Sequence, residues 1–92
     1  MRLKEIVNAD ALFVDVRTKE EFAIGHLDGA INIPLGEIAH RKQEIKELGN
    51  IPVICYCRSG NRSGSAVAYL QKEGYTGVYN GGSLEEVRKL KK

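Results

Sequence analysis

The sequence predicts an α/β fold built on a mostly parallel sheet, and three observations carry that expectation. Short apolar runs rich in Val and Ile alternate with segments of helical spacing throughout the chain. The runs show little polar alternation, as strands do when helices cover both faces of a sheet. Two capping boxes, Thr18-x-x-Glu21 and Ser83-x-x-Glu86, open helices within a few residues of such runs. A chain of 92 residues falls below the usual domain of about 100 to 150, so a single domain over 1–92 is expected.

Each element follows in order. Leu3 to Asn8 reads as a short helix and Leu12 to Val16 as a strand buried on both faces. Thr18 and Glu21 open a second helix, which Gly25 is expected to end in a left-handed turn. Ala30 to Ile33 forms the next strand, closed by Pro34, which has no N–H for a ladder. Ile38, Ile45 and Leu48 lay a helical stripe up to Gly49. Ile51 to Cys55 is the clearest strand, and a helix runs from Ser63 through Ala66, Val67 and Leu70 to Gly74 as its C-terminal cap. Thr76 to Tyr79 is a last short strand. Asn80-Gly81 has the form of a hairpin turn, but the second capping box and the helical spacing of Leu84, Val87 and Leu90 exclude a returning strand. Strand, crossover, parallel strand connections of this kind are right-handed.

With 42% hydrophobic and 28% charged residues, the composition excludes a disordered tract or a fibrous repeat. The net charge of +2 depends on Arg88, Lys89, Lys91 and Lys92 at the end of the chain, where cations complement the last turn of a helix. Neither nucleic-acid nor membrane binding is expected. Met1 to Glu5 has no apolar leader core, and no stretch approaches the ~20 apolar residues of a membrane span, so a cytoplasmic protein is expected. Cys55 and Cys57 are too close for an ordinary disulfide and lack the further ligands of a zinc site, so reduced thiols and no metal or cofactor are expected.

The chemistry concentrates in Cys57-Arg58-Ser59-Gly60-Asn61-Arg62-Ser63. A strand ends and a helix begins within six residues, so the backbone must curl tightly and its N–H groups converge on one space at a helix N-terminus. Such a cradle binds anions. Arg58 and Arg62 add charge, Gly60 permits the tight arc, and Ser59, Asn61 and Ser63 offer side-chain donors. This setting favours a thiolate at Cys57: lowering a thiol pKa from ~8.5 to ~6.5 stabilises it by about 2.7 kcal/mol. The alternative is a plain turn with Ser63 as N-cap, two solvated arginines and an inert thiol.

The same residues resemble the active-site loop of rhodanese sulfurtransferases, Cys-x-x-Gly-x-Arg. Two further segments carry the resemblance: Asp15-Val16-Arg17 with Glu21-Phe22 and Gly25 to Pro34, and Tyr75 to Gly82 with its Gly81-Gly82 pair. It covers about residues 3 to 90. The chain departs from the family pattern in lacking room for a first edge strand and in having Ser83-Leu84 where a large aromatic often stands. The resemblance implies a rhodanese-like, mostly parallel four- or five-stranded sheet with helices on both faces. It also implies a sulfurtransferase that moves sulfane sulfur from an anionic donor such as thiosulfate, through a Cys57 persulfide, to cyanide or a thiol, with a protein acceptor among the candidates.

Two other functions fit part of the pattern. A non-catalytic sulfur-carrier or partner-binding module would share the fold, but such modules commonly lose the cysteine that is kept here. A phosphatase or arsenate reductase would use Cys-x5-Arg, whereas Cys57 to Arg62 is Cys-x4-Arg, a smaller cradle. Outside the loop, Cys55 is expected to be a buried strand residue, with a resolving thiol as the alternative, and Tyr56 to serve packing. His26 is assigned to a structural turn, and His40 to an exposed helix face. Asp15, Arg17 and Glu21 are expected to form one ion-pair network ordering the first turn.

Overall fold

The computed structural model describes residues 2–46 and 51–91. Its elements are α1 (Leu3–Val7), β1 (Leu12–Asp15), α2 (Lys19–Ile24), β2 (Ile31–Asn32), a 3-10 turn (Leu35–Glu37), α3 (Ile38–Lys46), β3 (Val53–Cys57), α4 (Asn61–Lys72), β4 (Val78–Ser83) and α5 (Leu84–Leu90). The four strands form one all-parallel sheet in the order β2-β1-β3-β4. Among the described residues no helix is long and apolar enough to cross a membrane.

Both faces of the sheet are covered, and successive strand residues divide between them. Leu12, Val14, Val53, Cys55 and Cys57 join Ile38 and Ile45 of α3 and Ala66, Val67 and Leu70 of α4 in one buried cluster. Phe13, Ile54 and Tyr56 point the other way and pack with Ile6 and Val7 of α1 and Val87 of α5. Burial on both sides explains why β1 and β3 read as unbroken apolar runs.

Both capping boxes form as expected: Thr18 Oγ accepts from Glu21 N–H, and Ser83 Oγ accepts from Glu86 N–H. Gly74, at φ 92°, follows the C-cap of α4, where Tyr75 N–H reaches the carbonyl of Leu70. Arg88 and Lys89 occupy the last turn of α5, and Lys91 lies over the Phe13 ring, 4.6 Å from its centroid.

Several boundaries differ from the sequence expectation. β3 covers Val53–Cys57 rather than Ile51 to Cys55, because pairing with β1 and β4 extends to its end. β4 covers Val78–Ser83 and runs straight through the Asn80-Gly81 turn signal. Pairing moves from Cys55 with Asn80 to Tyr56 with Gly82, leaving Gly81 as a bulge. A Cβ there would lie 2.8 Å from both Ile54 Cγ2 and Val87 Cγ2, so only glycine fits. The edge strand β2 shrinks to two residues.

Gly25 does not make the expected left-handed turn: its φ of 173° is extended backbone, and its carbonyl accepts from Arg17 Nη2 at 2.6 Å. Helix α4 starts at Asn61, two residues before Ser63, with Gly60 as N-cap. On α3, Ile38 and Ile45 are buried as the stripe predicts, while Leu48 and Gly49 lie outside the described residues.

Candidate active site

The C-terminal edge of the sheet brings together the ends of β1, β3 and β4 with the start of α4. Cys57 is the last residue of β3, and the next three residues turn the chain into the helix. Gly60 takes φ 91°, a left-handed conformation that side-chain-bearing residues rarely adopt. That twist turns its N–H back onto Cys57 Sγ at 3.0 Å, while Ser63 N–H, in the first turn of α4, points at the same sulfur from 3.4 Å. Ser63 Oγ lies 3.4 Å from Sγ.

Two opposing effects act on the thiol. Burial raises its pKa, while the Ser63 hydroxyl and the N–H groups of Ser63, Ser59 and Gly60 stabilise the thiolate and prevail, bringing Cys57 down to about 7. Thiol and thiolate are therefore both well populated at neutral pH, and the sulfur is ringed by donors that suit an anion. Backbone and hydroxyl groups supply this stabilisation, and the two arginines contribute less than the sequence suggests.

Arg58 is exposed and makes no hydrogen bond or ion pair among the described residues. Arg62 is engaged elsewhere: its Nη1 and Nη2 donate to the two carboxylate oxygens of Glu21 at 2.7 and 3.0 Å. Glu21 in turn is held at about pKa 2, first by Arg62 and then by the N–H of Thr18. The expected network of Asp15, Arg17 and Glu21 is thus divided. Asp15 and Arg17 form a buried fork, Nε to Oδ1 at 2.9 Å and Nη2 to Oδ2 at 2.7 Å, at the end of β1. Glu21 acts on Arg17 only through space and instead makes its direct bonds to Arg62, tying α2 to the cradle. A carboxylate four residues from Arg17 offered no sequence signal that its partner stood 41 residues away.

The other candidates fall into place around this centre. Ser59 acts through its backbone, and Asn61 is an exposed first residue of α4 whose carbonyl accepts from Ser65 Oγ. Cys55 is fully buried, and burial pushes its thiol up to about 12. Tyr56 packs on the opposite face, its hydroxyl accepting from Leu27 N–H at 3.0 Å. His26 stacks on Phe22 with ring centroids 3.6 Å apart and donates from Nδ1 to the Phe22 carbonyl, a turn-forming role. His40 is exposed on α3.

One residue at the site was read only as part of a rejected turn. Asn80 on β4 places Oδ1 2.7 Å from Ser63 Oγ and 2.9 Å from Gly82 N, while Nδ2 donates to the Gly60 carbonyl at 3.1 Å. Its proximity to the cysteine loop arises from the β3–β4 pairing, which local spacing does not reveal.

Known proteins share this fold. A rhodanese-like domain matches residues 2–88. The chain is similar to YqhL of Bacillus subtilis (strain 168), 46% identical over 70 residues, and spans 76% of its own length and 54% of that protein's. It is 40% identical over 75 residues to the thiosulfate sulfurtransferase PspE of Escherichia coli (strain K12), covering 82% of this chain and 72% of PspE. Other relatives include a putative sulfur carrier, YrkF of Bacillus subtilis, and a tRNA uridine(34) hydroxylase of Buchnera aphidicola, of which this chain spans 35% and 28%. Among solved structures, a rhodanese with anions from E. coli superposes with a TM-score of 0.76 at 39% identity, over 83% of this chain and 89% of that one.

Proposed function

Because the chain belongs to the rhodanese family, and because its one activated thiol lies inside a ring of N–H donors, we propose that it is a sulfurtransferase working through a persulfide on Cys57. Thiosulfate is the proposed donor. The Cys57 thiolate attacks the outer sulfur, a new S–S bond forms, the donor's own S–S bond breaks, and sulfite leaves with the electron pair. The outer sulfur of the persulfide keeps the negative charge it carried in thiosulfate, and the charge that Sγ gives up leaves with sulfite. Attack by cyanide or a thiolate on that outer sulfur returns the pair to Sγ and releases thiocyanate or a new persulfide. No proton transfer to carbon or phosphorus is required, so the site needs no general base.

The observation that carries the reading is the convergence of Gly60 N–H, Ser63 N–H and Ser63 Oγ on Cys57 Sγ. The same donors suit the anionic donor and the charged outer sulfur, as preorganised dipoles do for developing charge. Cys57 has no exposed surface, so on this reading a donor reaches Sγ only when the arc opens. The loop retains the nucleophile and its donors, which favours catalysis over a purely partner-binding module.

Intact mass spectrometry after thiosulfate treatment tests this directly. The parent and Cys55→Ser are expected to gain one sulfur and Cys57→Ser none, and thiocyanate production should disappear with Cys57→Ser. Sulfur carried on Cys55, or thiocyanate turnover by Cys57→Ser, would overturn the assignment. A protein that loads sulfur yet passes none to cyanide or small thiols would act as a carrier for a protein acceptor.

A further inference from the structure

We propose that Asn80 is a positioning residue for the sulfur chemistry, the alternative acceptor to which the Ser63 hydroxyl proton turns whenever negative charge leaves Cys57 Sγ. This inference rests on reading Cys57 as the nucleophile. It comes from counting protons. Ser63 is fully buried, and its hydroxyl has one hydrogen for two neighbours, Asn80 Oδ1 at 2.7 Å and Cys57 Sγ at 3.4 Å.

The amide orientation of Asn80 follows from its partners. Gly82 N–H can donate only to an oxygen, which sets Oδ1 on that side, and the Gly60 carbonyl can accept only from Nδ2. Oδ1 therefore accepts from Ser63 without being orphaned when Ser63 turns away, because Gly82 N–H remains. The slot that admits the amide is cut by small residues. A Cβ on Gly64 would lie 3.3 Å from Asn80 Nδ2, and one on Gly60 would lie 3.9 Å from it and 3.4 Å from Gly82 Cα.

Two states follow. With Cys57 a thiol, S–H donates to Ser63 Oγ and O–H donates to Asn80. With Cys57 a thiolate, the hydroxyl turns to Sγ. When Sγ spends its electron pair on the donor's outer sulfur and sulfite departs, the inner sulfur is neutral again and the hydroxyl returns to Asn80. When an acceptor takes the outer sulfur, the pair returns to Sγ and the hydroxyl swings back. The proton stays bonded to Oγ throughout, so no bond to hydrogen is made or broken. Asn80 is itself exposed, and without it the sulfur is the one protein acceptor left to the Ser63 hydroxyl among the described residues.

The charged groups around Sγ come from every neighbouring element. Arg62 of α4 is paired with Glu21 of α2, Asp15 and Arg17 are paired at the end of β1, and Arg58 lies exposed on the loop. β4 carries no charged side chain, and Glu86 of α5 is engaged with Ser83 N–H. None of these changes in the Asn80 and Ser63 variants, so the titration reads the hydroxyl.

The test is a double-mutant cycle in the Cys55→Ser background, following the Cys57 thiolate by its absorbance at 240 nm against pH. Asn80→Ala is expected to lower the midpoint by about half to one unit, the size of one neutral hydrogen bond. Ser63→Ala should raise it. In the Ser63→Ala background, Asn80→Ala should no longer lower it. Loss of the amide bond to Gly60 is common to both backgrounds and cancels in the difference. Equal shifts in the two backgrounds, or a rise with Asn80→Ala alone, would overturn the proposal. If Asn80→Ala fails to fold, Asn80→Leu fills the slot without an acceptor and is read the same way. The titration needs no donor, so its failure is distinct from a failure of Cys57 to take up sulfur.

Discussion

Cys55 and Cys57 stand two residues apart on one strand, on one face of the sheet, and neither has exposed surface. Their thiols nevertheless differ by about five pH units, near 12 for Cys55 and near 7 for Cys57. Burial acts on both in the same direction, so burial does not decide reactivity. Position along the strand does. Cys55 sits where the backbone donors on either side are already used in the β1 and β4 ladders, and nothing offsets its desolvation. Cys57 sits where the strand ends, so the next N–H groups are free to turn onto its sulfur. The lowered pKa of Cys57 is thus a property of the strand end.

The sharpest way to break this comparison is to titrate each thiol alone. Cys55→Ser should show a thiolate midpoint near pH 7, and Cys57→Ser should show no thiolate band below pH 9; near pH 7 the two thiolate populations differ by about 10⁵. A midpoint for Cys55 anywhere near neutrality would remove the distinction. The sign of the linkage follows from the lowered Cys57 pKa. Its contribution to stability is complete above the pKa of the unfolded thiol and lost as pH falls through about 7, so the parent should gain stability over Cys57→Ser between pH 7 and 9.

A smaller effect is expected at Gly60. Gly60→Ala forces a side chain into φ 91°, at a cost of roughly 1 to 2 kcal/mol, and relieving that strain rotates the N–H away from Sγ. The Cys57 midpoint should rise and persulfide formation should slow by about tenfold near pH 7. An unchanged midpoint would show that the Gly60 donor is dispensable.

The smallest effect belongs to Glu21. Glu21→Gln removes the carboxylate that occupies Arg62, freeing a cation beside the cradle, and should speed the thiosulfate step a few-fold at low salt, with the gain fading as salt is added. A slower step would mean that the pair is needed to hold α2 against the loop. Because the carboxyl of Glu21 is held near pKa 2, the pair's stabilising effect is present above the ordinary carboxylate range and is lost only as pH falls toward 2.

Local patterns in the sequence determined a good deal of this protein. The two capping boxes, the α/β alternation and the glycine that bends the Cys57 loop all depend on neighbours within a few residues and formed as spacing predicted, while the strand that delivers Cys57 formed two residues later than expected. The buried character of Cys55 followed from its apolar run. What only the tertiary structure decided involves partners far apart in the chain. Strand pairing carried β3 and β4 past their expected ends, converted Asn80-Gly81 from a turn signal into a bulge, and set Asn80 against Ser63. The tertiary approach of Glu21 on α2 to Arg62 on α4 joined those two, leaving Asp15 and Arg17 as a separate pair. Backbone conformation is chosen by short-range sterics and hydrogen bonds that a sequence displays directly; the partner of a charged or amide side chain is chosen by whichever group the assembled sheet brings within 3 Å.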